Sequence, residues 1–178
     1  SMGSWRVIHN QLDVYIRDCG INCISFDMSV LMNNIFTEQY IGTTLLNYRH
    51  DTPAPYLDPK ALAEAIEQAM DREALLNFNI KATGRFQYSI EDVERILESN
   101  GYPVTCIETI HNNQLHKNAG VSADQRLMSD ISDDYALGIY PKISTDLSMF
   151  GVISRSLEDF VEQDSQYFLN LQAGDKNL

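Results

Sequence analysis

Positive charge is what this 178-residue chain has least of. Thirteen Lys and Arg stand against 25 Asp and Glu, which leaves a formal net charge of −12 and a pI near 4.5. A protein that grips duplex nucleic acid neutralises phosphates with Lys and Arg, so direct nucleic-acid binding is not expected. An anionic membrane surface repels the chain for the same reason. The partner this charge suits is a protein with a basic surface, attracted over long range. Cysteine is also scarce, at Cys19, Cys23 and Cys106. An odd, sparse set does not make a disulfide framework, and it predicts a reducing, cytoplasmic setting. No apolar run nears the roughly 20 residues needed to cross a bilayer, and no basic-then-apolar leader opens the chain. The glycines fall in neither a phosphate loop nor a G-x-G-x-x-G pattern, so no cofactor is expected.

What is present is ordinary globular material: 44% hydrophobic and 21% charged residues, enough to exclude a disordered chain. The length suits one domain with a substantial core. Residues 1–4 read as a short non-native remnant and 173–178 as a frayed tail. Trp5, Ile8, Leu12, Tyr15 and Cys19 recur at helical steps, which predicts a helix over 4–20, and Ile24, Met28, Leu31 and Ile35 predict a second from Asn22. Asp58-Pro59 is a strong helix start, and Ser89 with Asp92 has the spacing of a capping box for a helix to Asn100. Strands are predicted over 78–87, 104–110, 135–140 and 167–171, with a brief one over 150–153. Short helices are predicted over 123–128 and 156–163. The order predicts an α+β single domain, with N-terminal helices packed on a mixed, largely antiparallel sheet.

Candidate chemistry centres on Asp18-Cys19-Gly20-Ile21-Asn22-Cys23. If Asn22 caps a helix, Cys23 lies in its first turn, where the dipole favours a thiolate. Over about six residues the string resembles the active-site segment of bacteriocin-processing and other papain-like cysteine peptidases. The resemblance implies Cys23 (or Cys19) as nucleophile, Gln11 near an oxyanion hole, and a downstream histidine base, for which His111 and His116 are the candidates. Neither histidine has the family's strand-start context, and small buried cysteines explain the same residues. A zinc site from Cys19, Cys23, His111 and His116 is disfavoured by Gly20 and by the distance along the chain. Asp130, Asp133 and Asp134 lack the register of a calcium loop. Arg85, between Gly84 and Phe86, is a candidate functional arginine or a solvated edge charge.

Seventeen aromatic residues supply the other signal. Tyr40, Tyr48 and Tyr56, with Arg49, His50 and two prolines, mark residues 37–57 as a candidate exposed recognition loop. The favoured expectation is a non-enzymatic acidic interaction domain, such as an assembly component or an inhibitor docking on a basic surface. The alternative is a papain-like cysteine hydrolase or deamidase.

Overall fold

A computed structural model describes residues 4–48, 52–109 and 142–172. The strongest local signals form what their chemistry dictates. Asp58 sits extended ahead of α2 (Pro59–Met70), and its Oδ1 accepts from the Lys60 N–H at 3.0 Å, satisfying one donor of the first turn. Pro59 follows where its missing N–H costs nothing. In α3 (Ile90–Ser99) the box closes both ways: Asp92 N–H donates to Ser89 Oγ at 3.2 Å, and Ser89 N–H donates to Asp92 Oδ2 at 3.0 Å. The Arg95 guanidinium beside Asp92 helps hold that carboxyl below its ordinary range.

Strand pairing departs from the sequence expectation. β1 (Ser25–Met28) pairs in parallel with β4 (Asn79–Ala82), in register Phe26 with Ile80. A second sheet sets β2 (Tyr40–Ile41) antiparallel to β3 (Thr44–Asn47), and β3 parallel to β5 (Cys106–Thr109). Two of the three pairings are therefore parallel, so the largely antiparallel expectation is corrected. Parallel neighbours need a long crossover, usually through a helix. The connection from β1 to β4 carries α2, and that from β3 to β5 carries α2 and α3. The coarser outcome, helices with a small mixed sheet, stands.

Three further elements differ. The helix expected from Asn22 is replaced by β1 and a π-helical turn at Ile35–Gln39. Ile24, Phe26 and Met28 alternate as well as they fit a helix, and pairing with β4 selects the strand. The strand expected over 167–171 is the end of α4 (Leu157–Gln172), in which the Phe160 and Phe168 rings stack 5.7 Å apart. The strand expected over 150–153 gives way to a 3-10 turn, Asp146–Phe150, closed by Gly151 in the left-handed region. The elements expected over 123–128 and 135–140 lie outside the described residues. Helix α1 (Ser4–Asp18) forms as expected, yet Leu12 and Tyr15 are exposed instead of packed on a sheet.

Burial falls in two clusters. One gathers Met32, Ile35, Phe36, Leu45 and Tyr56 against Val93, Leu97, Leu157 and Phe160. The other packs the alanine face of α2 (Ala61, Ala65, Ala69) on Ile80, Ala82, Leu147 and Phe150. The 3-10 turn Asp146–Phe150 packs against both α2 and β4 and joins them in this cluster. Residues 30–32 and Leu57 stitch the clusters together, Met32 N–H donating to Leu57 O and Leu57 N–H to Val30 O.

Tyr88 joins the first cluster to α4. Its hydroxyl donates to Glu158 Oε2 and accepts from Leu157 N–H, both at 3.0 Å, so it takes a first-turn donor beside the one that Ser156 Oγ accepts from Asp159 N–H at 3.1 Å. Burial, assisted by the Glu158 and Asp159 carboxylates and opposed by the Leu157 N–H, pushes its pKa up to about 12 from 10.0. A raised folded value means the contribution is whole below pH 10 and is lost as pH rises toward about 12. Tyr88→Phe leaves the Leu157 N–H buried without this acceptor, and we expect it to cost about 2 kcal/mol. Urea unfolding of both proteins below and above pH 10 checks this, and the gap between them should narrow at the alkaline end.

Candidate functional site

In parallel α/β sheets, ligands gather beyond the carboxyl ends of the strands. The chain leaves β4 through Thr83, Gly84 and Arg85, and there a cleft of about 300 Å³ opens. Residues 143–145, 147–148 and 152–154 form its other wall. The two walls are joined by Thr83, which is buried: its Oγ1 accepts from Ser144 N–H at 2.8 Å. Gly84 lies against the Pro55–Tyr56 backbone so closely that a Cβ would fall 1.8 Å from the Tyr56 carbonyl oxygen. That contact sets the path of the chain into the cleft.

The far wall is braced at both ends. Arg72, two residues beyond α2, donates to Met149 O at 2.8 Å and lies 5.1 Å from the Phe150 ring centroid. Ser154 Oγ accepts from Asp58 N–H at 3.2 Å, and the next residue, Arg155, forks onto Asp58 at 2.7 and 3.1 Å. Asp146 is turned away, its Oδ2 accepting from Lys81 N–H at 2.9 Å. The cleft therefore has an apolar lining from Ile143, Leu147, Val152 and Ile153, interrupted by hydroxyls and by one cation, Arg85.

The residues singled out in the sequence are not brought together here. Gln11 is exposed on α1, and Cys19 is exposed just beyond that helix. Cys23 is half-buried in the irregular stretch before β1. No helix starts at Asn22; its Oδ1 accepts from Asn77 Nδ2 at 3.2 Å, and Cys23 O accepts from Asn77 N–H at 2.6 Å. The helix N-terminus that would activate Cys23 is absent from its surroundings. His111, His116, Arg49, His50 and the Asp130–Asp134 cluster lie outside the described residues. The recognition-loop tyrosines are core instead: Tyr40, Tyr48 and Tyr56 are all buried. Tyr40 donates to Pro103 O at 3.0 Å and Tyr56 to Gln39 Oε1 at 2.9 Å, so their polar tips are used internally. Among the described residues no three His, Cys, Asp or Glu side chains gather to hold a metal, and no helix is long and apolar enough to cross a membrane. Of the cleft residues, only Arg85 carried a signal in the sequence.

No protein-family model matches the chain, and no curated protein matches it in sequence. Its fold, however, recurs in solved structures. It is similar to an NADPH-dependent quinone oxidoreductase from Escherichia coli complexed with NADPH, at 13% identity and TM-score 0.75 over 94% of this chain and 61% of that one. A nucleoside-diphosphate-sugar epimerase from Staphylococcus aureus matches at 14% and 0.69, over 86% and 57%. A triphenylmethane reductase from Citrobacter, complexed with NADP(H), matches at 17% and 0.62, over 83% and 54%. The chain thus spans under two thirds of each relative's length. The likeness is one of fold: the chain is similar to the Rossmann-like architecture of these structures. This overturns both the non-enzymatic interaction domain and the cysteine-hydrolase alternative, since neither rests on this architecture.

A nicotinamide dinucleotide in such folds sits on a glycine-rich turn whose missing side chains admit the pyrophosphate. Among the described residues no such cradle exists. The space beside Gly84 is filled by the backbone at Tyr56, while Gly20, Gly42, Gly101 and Gly151 stand alone in left-handed turns. The described residues do not fit the phosphates of a dinucleotide.

Proposed function

We propose that the chain works in an oxidoreductase-type enzyme of the NAD(P)-linked reductase and epimerase class, and that it supplies the part that holds the substrate. The likeness to the quinone oxidoreductase over 94% of the chain carries this reading. The cleft at the carboxyl end of β4 gives it a place, and the described residues hold no glycine cradle for a dinucleotide. Ligand-induced thermal stabilisation tests the reading with three probes: a benzoquinone, a nucleotide sugar and NADPH. The quinone or the nucleotide sugar is expected to raise the melting temperature in the absence of NADPH, and NADPH by itself is not. Stabilisation by NADPH alone, or by none of the three, overturns it.

A further inference from the structure

The hydrogen bonds around the cleft restrict what it can recognise. Ser148 Oγ donates its proton to Thr145 O at 2.7 Å, and Ser154 Oγ faces Arg155 O at 3.4 Å. Thr83 Oγ1 is directed at Gly84 O and Ser144 O, at 3.3 and 3.4 Å. These three hydroxyls direct their single protons inside the protein, whereas Ser144 Oγ accepts from Asp146 N–H at 3.1 Å and has its proton to offer a ligand. The charged donor left on the lining is the Arg85 guanidinium.

That guanidinium is unusual for this chain. Among the described side chains, Arg17, Arg95 and Arg155 each bind a carboxylate, and Arg72 binds a backbone carbonyl. Arg85 has no ion pair among the described residues; it lies 5.2 Å from the centroid of the exposed Phe86 ring. In a protein of net charge −12, carboxylates are the commonest partners at hand, and the one nearest in sequence on the facing wall, Asp146, is held by Lys81 N–H. A planar fork of donors beside an apolar wall suits an anion borne on an apolar body.

We infer that the cleft binds a small anionic ligand, a phosphate monoester or carboxylate on an apolar or aromatic body, with Arg85 gripping the anion and Ile143, Leu147, Val152 and Ile153 covering the body. The inference rests on the reading of this cleft as the substrate-holding part, and it adds the chemical class.

Phenyl phosphate is the probe, measured by calorimetry on the whole chain, with benzoate, inorganic phosphate and benzyl alcohol as companions. Phenyl phosphate and benzoate should bind, more weakly as salt is raised, and the other two at least about tenfold more weakly, because each lacks half of the recognition. Arg85→Ala should weaken phenyl phosphate by about tenfold or more, and Arg85→Lys should recover part of that loss. Arg85 is exposed, so neither change threatens folding, and a matching urea midpoint verifies it. Benzyl alcohol binding as well as phenyl phosphate, or equal affinity in Arg85→Ala, overturns the inference. If the quinone or nucleotide sugar still stabilises the protein in that case, the functional reading survives without it. If the anions bind through Arg85 while the quinone and the sugar do nothing, the inference survives and that reading falls.

Discussion

Arg155→Met is expected to destabilise the protein by about 3 kcal/mol, because it strands the Asp58 carboxylate in the interior. Asp58 is only 2% exposed, and Arg155 grips it through Nε at 2.7 Å and Nη2 at 3.1 Å. The same guanidinium reaches Asp164 Oδ2 at 2.6 Å and Gln163 Oε1 at 2.9 Å, so one side chain ties the start of α2 to the middle of α4. These carboxylates keep the Arg155 pKa above its already high ordinary value, so its charge persists at every accessible pH. Methionine preserves much of the apolar stem but none of the donors. Urea unfolding of Arg155→Met, of Asp58→Asn and of the double variant gives the coupling directly. Asparagine can still accept from the Lys60 N–H, so Asp58→Asn should cost less, and the double variant should recover part of the loss. A cost under about 1 kcal/mol for Arg155→Met would mean that the pair behaves as a solvated surface bridge.

Gly84→Ala should cost about 3 kcal/mol, the upper range for overpacking. The obstruction is backbone: the Cβ would lie 1.8 Å from Tyr56 O and 2.7 Å from Tyr56 C. No rotamer change relieves it, so either the turn after β4 or the Pro55–Tyr56 segment must move. Pro55 O also accepts from the buried Ser29 hydroxyl and from Gly84 N–H, so the displaced segment carries other bonds with it. The cleft should suffer along with stability, since Thr83 and Arg85 flank the displaced residue. Chemical denaturation combined with phenyl phosphate calorimetry measures both. An unchanged denaturation midpoint would show that the Tyr56 backbone yields freely.

Local signals in the sequence held where the chemistry was local. The Asp58-Pro59 start, the Ser89–Asp92 box and the first helix all use partners within four residues, and all form. Pairing over long separations was not legible. Nothing near Ile24 to Met28 states that its partner lies at 79–82, and without that partner the same apolar spacing suits a helix. The tyrosines misled for a related reason. Tyr40 and Tyr56 carry polar tips that suit an interface, yet Pro103 and Gln39 meet those tips inside the core. The cleft was the least legible feature, because Thr83 and Ser144, whose hydrogen bonds join its two walls, are 61 positions apart in the chain.

By itself the sequence determined the acidic charge, the helix starts at Asp58-Pro59 and Ser89, and the absence of a G-x-G-x-x-G pattern, all of which depend on residue type and near neighbours. The tertiary structure decided which strands run parallel, which aromatics are core and where the cleft lies. Those outcomes turn on burial and backbone hydrogen bonding between segments far apart in the chain, and no short window of sequence contains both partners.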